Sequence, residues 1–230
     1  MAYHLHELQA ASGNHGGSRT ADQIKYLVIH YTGNNDDSAA NNAKYYQGTV
    51  VEASAHYFVD DTEVWCSVPD LTVAWAVGGK KYPSAPQTGG GTMHGIITNT
   101  NSISIELCGT ARDRSHQASE ATLANAMTLC IALMVKYNIP LENVYRHFDV
   151  TGKLCPRYMV DSVKWAEFKS KLRQKVADNI PAPYAKDAVC WAQSHGIITG
   201  DTDGDLMLAK PLTRQQFLAM LHRYHQQFYR

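Results

Sequence analysis

This 230-residue sequence predicts an α/β fold on three observations. Tyr26 to Tyr31 is a near-continuous apolar run of strand length. His56–Asp60 and Glu63–Ser67 are two β-rich runs separated only by Asp61-Thr62. Ser119 to Tyr137 carries a long helical periodicity. Strands interleaved with helices define the class, while the strand order stays open at this level.

The elements follow along the chain. Residues 1 to about 23 are polar, and Ser12-Gly-Asn-His-Gly-Gly-Ser18 reads as loop. Tyr26–Tyr31 fits a strand covered on both faces. Asp36 to Tyr46 is helix-like, with Asp37 or Ser38 as its N-cap. The two β-rich runs form a hairpin. Gly78 to Thr100, with Gly89-Gly-Gly91, is a loop long enough to imply function or mobility; it lacks the Gly-Lys-Ser/Thr of a phosphate cradle and reads as a flank of a binding groove that orders on substrate. Asn101 to Leu107 alternates as a strand. Ser119 caps a helix with Leu123, Met127, Ile131, Met134 and Val135 at helical spacing, and Trp165 to Ala177 forms a second, basic helix. Ile180-Pro-Ala-Pro183 breaks the chain, so a larger domain over residues 1–178 and a small one over 183–230 are expected.

Lys+Arg and Asp+Glu both total 21, so no excess positive charge draws the chain to nucleic acid or anionic lipid. The five cysteines are an odd number and sit singly in apolar patterns, as reduced thiols do. The first residues lack a basic stretch followed by an apolar core, and no apolar run approaches the ~20 residues of a membrane span. These features predict synthesis in the cytoplasm as a soluble species without a signal peptide.

The chemistry concentrates in Arg146-His-Phe-Asp-Val-Thr-Gly-Lys-Leu-Cys-Pro156, where His147, Lys153 and Cys155 share one short loop. His30 stands near the end of the first apolar strand. Two imidazoles and a thiolate make three ligands for a tetrahedral zinc and leave its fourth position open, as catalytic sites do. A structural zinc stays open as the alternative, although no CxxC or HxxxH pair closes such a site. Asp149 reads as a loop-capping or ligand-supporting residue.

Five collinear segments resemble one family. They are Val28-Ile-His-Tyr-Thr32, Ser54-Ala-His-Tyr-Phe-Val-Asp-Asp61, Val73-Ala-Trp-Ala-Val-Gly78, Asn101-Ser-Ile-Ser-Ile-Glu106 and His147-Phe-Asp-Val-Thr-Gly-Lys-x-Cys-Pro156. Over residues 22 to 175 the chain is similar to the zinc-dependent N-acetylmuramoyl-L-alanine amidases of the peptidoglycan recognition protein type, especially phage endolysins and autolysins. The resemblance implies a mixed, mainly parallel central sheet flanked by helices, with Zn2+ on His30, His147 and Cys155. It implies a catalytic carboxylate at Glu106 and a catalytic cation at Lys153. It places His56 beside the metal and Trp75 in the substrate groove. One departure is Ala76, where relatives often carry His. The implied reaction is hydrolysis of the amide between N-acetylmuramic acid and L-alanine in peptidoglycan, at the bacterial wall after release from the cytoplasm. Two other readings compete: a non-catalytic peptidoglycan-binding module, disfavoured by the complete ligand set, and a cytosolic muropeptide-recycling amidase, whose members usually carry Asp where Cys155 stands.

Residues 184 to 225 read as helix, turn, loop, helix, with Thr213 as an N-cap. The small all-α piece resembles a single S-layer homology motif through Trp191-Ala, Gly196-Ile-Ile-Thr-Gly200 and Thr213-Arg214. That resemblance implies binding of a secondary cell-wall polymer near Trp191, Thr213 and Arg214. Because the family generally uses three copies, it also implies either a homo-oligomer formed through this piece or a structural appendage. Asp201, Asp203 and Asp205 alternate as in a calcium loop, but Leu212 stands at position twelve where Glu is required, so calcium is not expected.

Overall fold

The computed structural model describes residues 3–201 and 205–229. In chain order its elements are β1 (His4–Glu7), β2 (His15–Ser18), β3 (Tyr26–Tyr31), α1 (Ala39–Gly48), β4 (Tyr57–Val59), β5 (Glu63–Cys66), β6 (Thr72–Ala74), α2 (Ala85–Thr88), β7 (Ser102–Leu107), α3 (Glu120–Tyr137), β8 (Val144–Arg146), α4 (His147–Thr151), α5 (Ser162–Asn179), α6 (Lys186–Ser194) and α7 (Arg214–Phe228). Six strands form one sheet in the order β1-β5-β4-β7-β3-β8, parallel except for the β4–β5 hairpin, and β2 pairs with β6 in a small second sheet. The fold is therefore the expected mixed, mainly parallel sheet with helices around it.

The alternation of β7 explains how the sheet divides its faces. Side chains alternate along a strand, and the register aligns His30 with Glu106 and Phe58 with Glu106. One face thus carries Val28 and His30, Ser102, Ser104 and Glu106, and Phe58. The other carries Leu27, Ile29, Ile103, Ile105 and Leu107, all fully buried. Against the apolar face lies α3, which packs on β7 and β4. Over the first face lies α1, whose Ala39 and Ala43 close on Ala55, Phe58 and Cys108.

The caps agree with the sequence. Asn41 N–H donates to Ser38 at the start of α1, and Thr122 N–H donates to Ser119 at the start of α3. Of the expected stripe of α3, Met127 and Met134 are buried, Leu123 and Ile131 half-buried and Val135 exposed, and Ala126, Leu129, Cys130 and Leu133 widen the buried face. On the same helix the Asn125 amide donates to the carbonyls of Asp60 and Asp61.

Two expectations need correction. The Ser12–Ser18 segment is not simply loop, since its last four residues form β2 and pair with β6, while β1 before it pairs in parallel with β5. Their pairing is tertiary and leaves no apolar period in the sequence. The Gly78–Thr100 segment is anchored, not loose. Tyr82, Gly91 and Met93 donate backbone hydrogen bonds to Thr151, Phe148 and Asp149 on α4. By contacts, the compact units divide between Phe168 and Lys169, within α5. The second half of α5 carries Lys175, Asp178 and Asn179, which bind Asp205, Leu208 and Leu206 of the C-terminal unit. Asp203 of the calcium-like alternation lies outside the described residues, and Asp205 is ion-paired to Lys175 at 2.9 Å. All five cysteines are free thiols. Among the described residues no helix is long and apolar enough to cross a membrane.

Candidate metal centre

Three parallel strands lie side by side as β7, β3 and β8, and each delivers one polar residue at its C-terminal end. Glu106 is the penultimate residue of β7 and His30 that of β3, directly opposite it. His147 follows β8 as the first residue of α4. The start of α4 is fixed by Arg146 and Asp149. The Asp149 carboxylate accepts from the Arg146 backbone N–H at 2.8 Å, from Nε at 3.0 Å and from Nη2 at 2.6 Å. Arg146 also donates to the carbonyl of Met159 at 2.6 Å and lies over the rings of Phe148 and Trp165. Asp149 thus caps the helix that carries His147.

The chain then turns back through Gly152, whose φ of 83° suits glycine; a Cβ there would sit 2.6 Å from that of Ala85. The return brings Cys155 under His30, its carbonyl accepting from Phe148 N–H at 2.9 Å. Cys155 Sγ lies 3.9 Å from His30 Nδ1, and the His30 and His147 rings are 4.6 Å apart. Candidate ligand atoms of His30, His147 and Cys155 all fall within 4.8 Å of one another, the one such group among the described residues.

These residues fit a zinc ion. Bond lengths of 2.0–2.1 Å to nitrogen and 2.3 Å to sulfur put tetrahedral N and S ligands about 3.6 Å apart, close to the separation seen. The buried His30 Nε2 and His147 Nδ1 have no hydrogen-bond partner, and neither does Oε2 of Glu106. Buried polar atoms normally find partners, so orphans on His30, His147 and Glu106 mark neighbouring residues that have a use for a ligand. Burial, reinforced by the neighbouring Lys153 charge, holds the His147 imidazole neutral with a pKa lowered to about 3, and burial lowers that of His30 too. Neutral imidazole is the form that ligates. Burial raises the Cys155 thiol, and the Glu106 charge adds to this, so metal binding there releases its proton.

Glu106 sits with Oε1 3.8 Å from His30 Nδ1. Burial pushes its carboxyl up to about 7, against the pull of Lys153. Lys153 is exposed. Both line a cavity of about 460 Å³ together with Tyr31, Asn34, Asp37, Asn41, Asn42 and Tyr45.

Two of the residues expected near the site stand apart from this cavity. His56 is 1% exposed, is held in a column of buried polar groups, and is near enough to His30 to help lower its pKa. His56 Nδ1 accepts from the Ser104 backbone N–H at 3.0 Å and lies 3.0 Å from Ser104 Oγ, while Nε2 lies 2.7 Å from the Arg19 guanidinium and 3.2 Å from the Thr72 carbonyl. Burial, followed by the Arg19 charge, lowers the His56 pKa to about 3. Trp75 follows β6, and its indole nitrogen packs beside Gly16 of β2 instead of lining the cavity. Ala76 packs beside the buried Val28 and Val150.

Arg19 was invisible to sequence reasoning. It is buried and donates to the carbonyls of Asp70, Asn99, Thr100 and Ser102. Asp70 was equally unmarked; its carboxylate accepts from the hydroxyls of Tyr57 and Tyr137 and pairs with Lys136 at 2.8 Å. No local pattern announces either residue, because their partners lie tens of positions away.

In the C-terminal unit, Trp191 stacks on Phe228 and lies tilted against His195, and the Thr213 hydroxyl caps α7. Neither Trp191 nor Arg214 lines the nearby cavity of about 340 Å³. That cavity is formed by Ile197–Gly200, Lys210, Thr213, Gln216 and Arg223, among others.

Comparison with known proteins agrees with this geometry. A family model described as N-acetylmuramoyl-L-alanine amidase matches residues 20–158. The chain is 32% identical over 157 residues to the N-acetylmuramoyl-L-alanine amidase CwlL of Bacillus licheniformis, an overlap of 65% of this chain and 41% of the relative. It is 33% identical over 147 residues to XlyA of Bacillus subtilis, covering 63% and 43%. The chain thus spans less than half the length of these curated relatives. The solved catalytic domain of XlyA superposes with a TM-score of 0.57 at 28% identity, over 73% of this chain and 98% of that domain. The structure of PlyL does so with a TM-score of 0.57 at 28% identity, over 75% and 97%. With the family model matching more than half its length, the chain belongs to the N-acetylmuramoyl-L-alanine amidase family.

Proposed function

We propose that the N-terminal unit hydrolyses the amide between N-acetylmuramic acid and L-alanine in bacterial peptidoglycan, with zinc held by His30, His147 and Cys155. The observation that carries this reading is the cluster of those three side chains, with Glu106 3.8 Å from His30 and lining a cavity together with Lys153. When bound, zinc supplies Lewis acidity, polarising a carbonyl and bringing water to deprotonation near neutral pH. Glu106, raised towards neutrality by burial, takes the proton of the attacking water and returns it to the departing amine nitrogen. Lys153 faces the same cavity and offsets the negative charge that develops on the carbonyl oxygen. Asp149, by bracing Arg146, keeps His147 in place without touching substrate. The proposed site of action is the cell wall.

The C-terminal unit is proposed to hold a secondary cell-wall polymer in the cavity bordered by Lys210, Thr213 and Arg223, and to gain avidity by self-association. Lys210→Glu in the full chain should then lower retention on purified walls, and unchanged retention would reject that role.

The test of the main reading is mass spectrometry of digested walls with zinc-loaded protein. New L-alanine amino termini are expected; cleavage that instead yields reducing sugars sinks the assignment. His147→Ala and Cys155→Ala should each lose both the metal and the activity. Glu106→Gln should keep zinc yet lose about 10²–10⁴-fold in turnover, the range for general acid–base catalysis.

A further inference from the structure

Tyr31, the residue after His30, lines two cavities. The first is the Glu106–Lys153 cavity described above. The second, of about 470 Å³, is lined by Tyr31, Gly33, Ser115, His116, Arg157 and Tyr158, with Gln117. A substrate whose scissile amide lies at the His30–His147–Cys155 cluster has one half for each.

The two cavities differ in charge. The first holds two carboxylates, Asp37 and Glu106, against one cation, Lys153, with the amides of Asn34, Asn41 and Asn42 and the ring of Tyr45 around them. Amides and tyrosines suit the hydroxyls and faces of a neutral sugar. The second has no carboxylate among its lining residues and contains Arg157. Arg157 is exposed, and among the described residues its guanidinium has no ion pair or hydrogen bond. A guanidinium left open in a cavity without acids is built for a planar anion, which it grips with two parallel N–H donors.

We infer that the second cavity receives the peptide half of the substrate and that Arg157 selects stem peptides bearing a free carboxylate on their second residue. This rests on the amidase reading above. The spans agree. Arg157 is two residues from Cys155, at most about 7 Å along the backbone, and a carboxylate on the residue after the scissile alanine lies about as far from the broken bond. In stem peptides this second residue is a γ-linked glutamate whose α-carboxyl is either free or amidated, so the same position offers an anion or a neutral amide.

The experiment compares zinc-loaded full-length protein with Arg157→Gln and Arg157→Lys on two soluble muramyl peptides that differ only in that carboxyl or carboxamide. The expected result is a kcat/KM ratio favouring the acid by about tenfold in the parent, as for one accessible charge-assisted contact. The ratio should fall towards one in Arg157→Gln and be partly kept in Arg157→Lys. A parallel titration measures binding of the released acidic tripeptide to metal-free protein, which needs neither zinc nor turnover; Arg157→Gln should weaken it by a similar factor. A ratio that is the same in parent and Arg157→Gln, or tripeptide binding indifferent to the substitution, overturns the inference. If the parent cleaves neither muramyl peptide at the amide, the amidase reading fails, whereas the tripeptide titration still decides the role of Arg157 by itself.

Discussion

Arg19→Met should destabilise the N-terminal unit severely although Arg19 touches none of the metal-site residues. Methionine is flexible enough to occupy the space but donates no hydrogen bond. The change removes donors from four carbonyls: Asp70 at 2.7 Å, Asn99 at 3.2 Å, Thr100 at 3.0 Å and Ser102 at 2.6 Å. It also removes the guanidinium beside His56 Nε2, which keeps only the Thr72 carbonyl at 3.2 Å. The contacts to Asp70 and Ser102 are fully buried, so those two acceptors are stranded at about 1–3 kcal/mol each. The other two carbonyls are closer to water and cost less. Against this, the burial penalty of the guanidinium disappears; it is large enough to lower the Arg19 pKa to about 10 despite the nearby Asp70 charge. The balance is about 3–5 kcal/mol, the usual cost of removing one partner from a buried charged network. At about 2–4 °C per kcal/mol for a unit of this size, Tm should fall by about 10 °C. Arg19→Lys should recover less than half of the loss, since one ammonium cannot reach carbonyls spread over a planar fork. Calorimetric melts of the three proteins at one zinc concentration decide the matter. An Arg19→Met Tm within about 2 °C of the parent, or an Arg19→Lys equal to it, would refute the reasoning.

Two further outcomes follow from named contacts. Gly90→Ala should lower both stability and turnover, because a Cβ there would lie 2.7 Å from the Phe148 ring and 2.8 Å from the Gly152 backbone, beside His147 and Lys153; thermal melts and steady-state kinetics measure this, and a silent substitution would mean the loop yields freely. For Asp70→Asn the loss should be about 2–3 kcal/mol near pH 7, chiefly from the buried hydroxyl contacts, since Lys136 is largely exposed. The hydrogen bonds from Lys136, Tyr57 and Tyr137 hold the Asp70 carboxyl below its ordinary 3.8, outweighing burial, so its contribution is complete above about pH 4 and fades as pH falls through the lower folded value. Denaturant titrations should show the parent and Asp70→Asn converging below that pH, and a constant gap would exclude the linkage.

What the sequence disclosed, and what it hid, follows from how local each cause is. Tyr26–Tyr31 and Ser102–Leu107 were readable because their own alternation or apolar density fixes a strand, and Ser38, Ser119 and Thr213 because a cap acts within three residues. The metal cluster was readable because His147 and Cys155 share one loop and His30 ends an apolar strand. The short strands β1, β2 and β8 were not, since three or four polar or mixed residues become strands only by pairing with distant ones. Arg19 and Asp70 escaped for the same reason. His56 and Trp75 were expected at the site from their place in matching segments, whereas their surroundings, a buried polar column for His56 and β2 for Trp75, are properties of the tertiary arrangement that no segment spells out.

The alternation of Ser102, Ser104 and Glu106 gives the deeper reason for where the site lies. On most half-exposed strands the polar positions face water. Here α1, α4 and the anchored loop cover that face, so its polar groups must find partners inside. Ser102 does so through Thr98, and Ser104 through His56 and Arg19. Moving along β7 towards its C-terminal end, the column of satisfied groups stops at Glu106, whose Oε2 has none, and the same is true of His30 Nε2 alongside it on β3. Parallel strands expose such ends together on one edge, the place where α/β sheets bind ligands. The sheet thus spends its internal partners on the residues that must be silent and leaves unsatisfied the ones that must meet a metal and a substrate. A fold that satisfied Glu106 and His30 internally would be more stable and would have no chemistry to offer.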